Sequence, residues 1–169
     1  KDLLQCARLM QAARSVRRML DNEKEEESET PHITNLARTL LPMRDLEDEI
    51  FGAILSEDEI ADSASPALAS VRRKIRSANE RNRDRLNGYL HSETMAKYLQ
   101  DTLITMRQGR YVLPVRAEYR SQVPGIVHDQ SSSGATLFIE PMAIVEINND
   151  LRSLMGEEQA EIEKILAQF

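Results

Sequence analysis

The chain has 169 residues, of which 41% are hydrophobic and 4% aromatic, and its 22 Lys and Arg stand against 28 Asp and Glu. That length suits one ordinary domain or two small ones, and six Gly and six Pro are too few for a low-complexity chain. No run approaches the roughly 20 apolar residues of a membrane span, and one Cys with three His excludes a disulfide framework and a Cys-built zinc site.

In chain order, Leu3, Cys6, Met10, Ala13, Val16 and Leu20 recur at three- and four-residue steps and predict one face of a helix. Asp21 to Glu29 holds six acids, one Lys and nothing to bury, which reads as a solvated or disordered connector. Thr30-Pro31 pairs a cap residue with Pro at the first helical position, opening a short helix whose apolar face is Ile33, Leu36 and Leu40. Pro42 separates it from a second short helix carrying Met43, Leu46, Ile50 and Ile54. Ile54-Leu55 and Ile60-Ala61 flank a polar turn, as in a small hairpin.

Ser63-Ala64-Ser65-Pro66 is a strong helix start, and the helix it opens should reach about Leu90. Its stripe is Leu68, Val71, Ile75, Ala78, Leu86 and Tyr89, interrupted by the polar Asn82. From Thr102 the period becomes two, predicting strands over Leu103 to Met106, Arg110 to Arg116, Gly125 to Gln130 and Ala135 to Glu140. Tyr111, Leu113 and Val115 should share one face, with Arg110, Val112, Pro114 and Arg116 on the other. Pro114 lacks an N–H, so its strand is expected at an edge or beside a bulge. Gln108-Gly109 and Ser131 to Gly134 are turns short enough for antiparallel hairpins. After Pro141 the helical period returns through Ile144, Ile147, Leu151, Leu154, Ile162 and Ile165.

The fold class is therefore α+β and mainly α-helical, with long helices bracketing a small four-stranded antiparallel unit, like a rod with a β tip. Its parts are a helical segment over 1–101, the β unit over 102–141 and a returning helix over 142–169. The chain starts at Lys1 inside a helical pattern and ends without a stop signal, so we expect a segment of a longer protein. Neither a signal peptide nor an internal repeat is visible.

Charge is the first functional signal. Residues 72–120 hold 12 Lys and Arg against 5 acids, or +7, while the rest of the chain holds 10 against 23, or −13. Concentrated positive charge on an acidic molecule suits phosphate binding, because each neutralised phosphate releases a counterion. The plainer reading, that these residues pair with acidic neighbouring helices, stays open. Arg72, Arg73, Lys74 and Arg76 point around most of the helix circumference, so not all can face one ligand.

No phosphate loop occurs, and no carboxylate pair stands out for acid–base work. His128 and Asp129 are strand neighbours expected on opposite faces, which excludes an imidazole–carboxylate relay between them. Phe138-Ile139-Glu140 has the Phe-x-Glu form used by mismatch-reading proteins, but Phe138 reads better as a structural residue in a buried strand.

Arg110-Tyr111-Val112-Leu113-Pro114-Val115, followed by the run Gly125-Ile126-Val127-His128-Asp129-Gln130-Ser131-Ser132-Ser133-Gly134-Ala135-Thr136-Leu137-Phe138-Ile139-Glu140-Pro141, closely resembles the second-type bacterial MutS paralogues. Asp62 to Pro66 with Leu68 and Arg72-Arg73, and Asn148-Asn149 downstream, resemble the same family. The resemblance implies a dimeric, cytoplasmic ATPase with helical levers, a β clamp and a C-terminal nuclease domain, associated with suppressing recombination through branched DNA and with splitting collided ribosomes. On that footing this segment is the noncatalytic core, lever and clamp. It needs no cofactor of its own, ATP and Mg belonging to the rest of the protein, and its partner is branched DNA or ribosomal RNA. The expected contacts are Arg107, Arg110, Arg116 and Arg120 on the strands, with Ser131, Ser132 and Ser133 at the turn. The rival expectation is a purely mechanical, dimerising module that touches no nucleic acid.

Overall fold

The computed structural model describes residues 1–21 and 31–169, so the expected acidic connector beyond Asp21 and the Thr30 cap lie outside the described residues, while Asp21 itself is helical. The described chain is α+β and mainly helical, and it divides into two compact units: residues 1–69 with 161–169, and residues 70–160.

The first unit holds α1 (Asp2–Asp21), α2 (Pro31–Arg38), α3 (Arg44–Ala53), a hairpin of β1 (Ile54–Ser56) and β2 (Glu59–Ile60), the first turn of α4 (Pro66–Leu90) and the last turns of α6 (Val145–Leu166). Its core joins Leu4, Ala7, Ile50, Ala53, Ile54, Ile60, Leu68 and Ile165. Beside this core, Glu47 is 1% exposed and accepts from Arg14, with Nε to carboxylate distances of 3.0 and 3.2 Å. That hydrogen bond is the main reason the Arg14 guanidinium is held above its ordinary range.

Two expected faces are corrected here. On α1 Leu3 and Met10 of the expected stripe pack against the core beside the buried Leu4 and Ala7, while Cys6 and Val16 are exposed; the face is rotated partway toward Ala7 and Arg14, whose guanidinium reaches Glu47. On α2 the small Thr34 and Ala37 are buried, whereas Ile33 and Leu36 stand 55% and 69% exposed. The larger pair lines an open apolar groove with Val16, Leu20 and Leu40.

The second unit is built on α4. Ser65 Oγ accepts the Leu68 N–H at 2.9 Å and caps the helix, and Pro66 follows at the first helical position. Val71, Ala78, Asn82 and Leu86 are buried along one stripe, the periodicity the sequence carries. A single turn, α5 (Glu93–Ala96), leads to β3 (Thr105–Arg107), β4 (Arg110–Arg116), β5 (Gly125–Gln130) and β6 (Thr136–Pro141), arranged antiparallel in the order β3-β4-β6-β5. Gln108 and Gly109 both take positive φ, 53° and 74°, which makes the β3–β4 connection a two-residue turn of the primed type that matches strand twist.

β4 is an inner strand, against the expectation from Pro114. The Pro114 carbonyl accepts from the Gln100 N–H at 2.8 Å, on the side where β3 has already ended. A strand residue's N and C=O point the same way, so the missing N–H also falls past the end of β3 and costs no bond to that strand. One face of the sheet supplies Leu113, Val115 and Ile139 to a core shared with Leu86, Leu99, Val123 and Ile144. A smaller cluster of Ala78, Ile147 and Leu151 ties α4 to α6.

Candidate nucleic-acid interface

The opposite face of the sheet carries the charge. Leu113 pairs with Ile139 and Pro114 with Phe138, so strand alternation puts Arg110, Val112, Pro114, Phe138 and Glu140 together on that second face. Ile126 lies opposite Glu140 and Val127 opposite Ile139, but the next pair is Asp129 with Phe138. His128 is therefore the extra residue of a β-bulge, and the bulge shifts Asp129 onto the face of Phe138 and Glu140. This corrects the expected separation of His128 from Asp129. The two still do not bond, because each has its own partner.

Those partners make a polar network. Glu140 is fully buried, with His128 Nε2 at 2.5 Å from one carboxylate oxygen and Arg110 Nη1 at 2.5 Å from the other. Asn148 Nδ2 donates to Glu140 at 2.7 Å, and Asn82 Nδ2 donates to Asn148 Oδ1 at 2.9 Å, which carries the network from β6 through α6 to α4. Arg110 also donates to Asn149 Oδ1. Asn82 Oδ1 is buried and has no partner among the described residues. A buried carboxylate is tolerable only when charged or donating groups surround it, and here three do.

The candidate contacts from the sequence divide accordingly. Arg110 is the counter-ion of Glu140, with its side chain 16% exposed. Arg107 lies 3.9 Å above the Phe138 ring and pairs with Asp129 at 3.2 Å. Arg120 donates to the Val123 and Gly125 carbonyls at 3.3 and 3.0 Å and braces the loop into β5. Arg116 is exposed. At the turn, Ser132 and Ser133 are exposed. Ser131 Oγ instead accepts the Thr136 N–H at 3.1 Å, and Gly134 takes a φ of 73°. The structure thus brings Arg107, Arg110 and the serine turn to one β unit, but Arg110 faces the buried Glu140, Arg107 pairs with the exposed Asp129 and Arg120 braces backbone.

Most of the remaining positive charge of residues 72–120 is on α4. Arg73, Lys74, Arg76, Arg81, Arg83 and Arg85 are exposed there, while Arg72 is tied to Glu158 at 2.7 Å. This density is plain in the sequence, but an arginine expected to contact phosphate from a strand looks the same whether or not a buried carboxylate claims it. The signal for that claim was Glu140 itself, an acid inside an apolar strand.

No family model matches the chain. Over 167 residues it is 51% identical to a protein of Clostridioides difficile named endonuclease MutS2, a match covering 99% of this chain and 21% of that protein. Proteins of the same name from Acetivibrio thermocellus and Symbiobacterium thermophilum are 47% and 50% identical over 168 residues, again 99% of this chain and 21% of theirs. The chain thus spans about a fifth of the length of the curated relatives it matches.

Proposed function

We infer that this chain, a segment that belongs to the MutS2 family, is a noncatalytic lever and clamp that grips the phosphate backbone of nucleic acid for the protein of which it is part. The relatives' name, endonuclease, supports a polyanion as the class of substrate. The observation that carries the reading is the exposed basic surface of α4 in an otherwise acidic chain. Charges exposed along one helix present a positive face to phosphates, whereas Arg107 and Arg110 on the sheet already face carboxylates. Arg116 and the exposed Ser132 and Ser133 extend the contact onto the β unit. In this reading the whole protein is a dimeric ATPase whose nucleotide cycle, with Mg, opens and closes the grip on branched DNA or on ribosomal RNA in collided ribosomes.

The test is a salt titration of binding between the chain and a fluorescent branched DNA. Phosphate binding weakens linearly in log–log form as salt rises, whereas apolar helix association does not. Binding indifferent to salt would favour the rival, a mechanical module that only transmits motion and dimerises.

A further inference from the structure

Within the second unit, one flank of α4 bears Lys74, Ser77, Arg81, Arg85 and Gly88, since steps of seven and four residues return a helix to nearly the same side. Two grooves open along this flank. Lys74, Ser77 and Arg81 line the first on the α4 side, facing Asp150, Ser153 and Glu157 of α6. Two cations there face two carboxylates, so that groove as a whole carries no net charge, although Arg81 makes no ion pair across it among the described residues. The second differs: Arg85, Gly88, Tyr89, Ser92 and Met95 line a volume of about 270 Å³, and no carboxylate is among them.

This second groove has the parts of a seat for an unstacked base. Tyr89 supplies a half-buried aromatic ring and Met95 a polarizable apolar wall. Gly88 leaves space, for a Cβ built there meets nothing within 4 Å. Arg85 is exposed beside the groove and, among the described residues, is held by a long 3.5 Å contact to the Ala143 carbonyl. Arg81 lies one turn earlier on the same flank, about 6 Å along the axis, and is exposed as well. That step is close to the distance between phosphates on an extended single strand.

We propose that Arg81 and Arg85 hold successive phosphates of single-stranded nucleic acid while one base stacks in the groove over Gly88 against Tyr89. Every base has a π-face, so the seat tolerates any sequence. A duplex, whose bases stay stacked, cannot fill it. The proposal rests on the nucleic-acid reading above and narrows it to a strand type and a place.

The experiment compares the chain and its variants by fluorescence anisotropy, using a labelled oligo-dT and a labelled duplex as probes. The Cβ of Gly88→Leu meets nothing within 4 Å, its side chain is bulky enough to occupy the groove, and Leu improves helix propensity, so the fold should hold. It should weaken oligo-dT binding about tenfold and leave duplex binding unchanged, while Gly88→Ala, too small to fill the seat, should bind like the wild type. Arg81→Ala with Arg85→Ala should weaken oligo-dT binding and lower the salt slope by about 1.4. If the wild type binds no nucleic acid at all, the underlying reading fails. If it binds, yet all these variants match it, or the duplex suffers equally from Gly88→Leu, the seat alone is refuted.

Discussion

His128 and Glu140 sit 12 residues apart in sequence, yet the imidazole Nε2 lies 2.5 Å from the Glu140 carboxylate. The bulge in β5 sets the register around this pair, and Arg110 completes the carboxylate's surroundings from β4. Glu140 therefore organises the charged face of the sheet. Truncating it to Ala would leave the Arg110 guanidinium beside a hole. We expect Glu140→Ala to lower stability by about 3–5 kcal/mol, read as a fall in the urea midpoint, with Glu140→Gln losing less because the amide keeps part of the network.

Arg110→Glu follows from the same network and carries a warning. It would set a second carboxylate against a buried one, and we expect a loss of at least about 3 kcal/mol by denaturant unfolding. Diminished DNA binding by that variant would report on folding. Arg116→Glu, at an exposed position, should keep the wild-type unfolding midpoint and so gives a clean test of contact.

Gly125 is required by packing and not by its φ. A Cβ there would meet the Glu140 carbonyl oxygen and lie 2.7 Å from Ile139 Cγ2, because β5 and β6 approach closely at this pair. Backbone atoms cannot give way as a long side chain can. Gly125→Ala should cost about 2 kcal/mol or more, seen as a lowered thermal midpoint with the far-UV spectrum of the rest retained.

The serine turn separates exposed from structural hydroxyls. Gly134→Val should cost about 1 kcal/mol or more, since Gly134 holds a φ of 73°. Ser131→Ala removes the acceptor of the Thr136 N–H and should cost about 1 kcal/mol. Ser132→Ala, at an exposed position, should change the unfolding midpoint hardly at all. Equal effects at Ser131 and Ser132 would contradict this division.

Much of the framework was legible because it depends on local signals. The bounds of α4 follow from Ser65, Pro66 and a stripe that repeats over 25 residues, and β4 and β5 follow from alternation and Gly-bearing turns. Asn82 was visible as a break in that stripe, and its partner on α6 explains it. What failed depended on distant atoms. A β-bulge inserts one residue without changing composition, so Asp129 changed face unannounced. On α2, eight residues carry too few turns for periodicity to choose between Ile33 with Leu36 and Thr34 with Ala37. The candidate contacts suffered most. An arginine bound for phosphate and one bound for a buried carboxylate read alike, and only the position of Glu140 distinguishes Arg110 from Arg116.

The noncatalytic reading predicts that purified chain hydrolyses neither ATP nor branched DNA in the presence of Mg, having no phosphate loop in its sequence and, among the described residues, no cluster of metal ligands. Metal-dependent cleavage that persisted through nuclease-free controls would reverse that assignment.

If exposed basic side chains grip a polyanion, the salt dependence of binding reveals it most directly. Anisotropy of a labelled branched DNA, titrated with the chain from about 50 to 200 mM salt, should show affinity falling linearly on logarithmic axes, with a slope of several phosphates. Arg116→Glu should weaken binding alike on branched substrates of unrelated sequence. Affinity that stayed constant across that range, and ignored the substitution, would contradict such a grip and leave this segment a mechanical one.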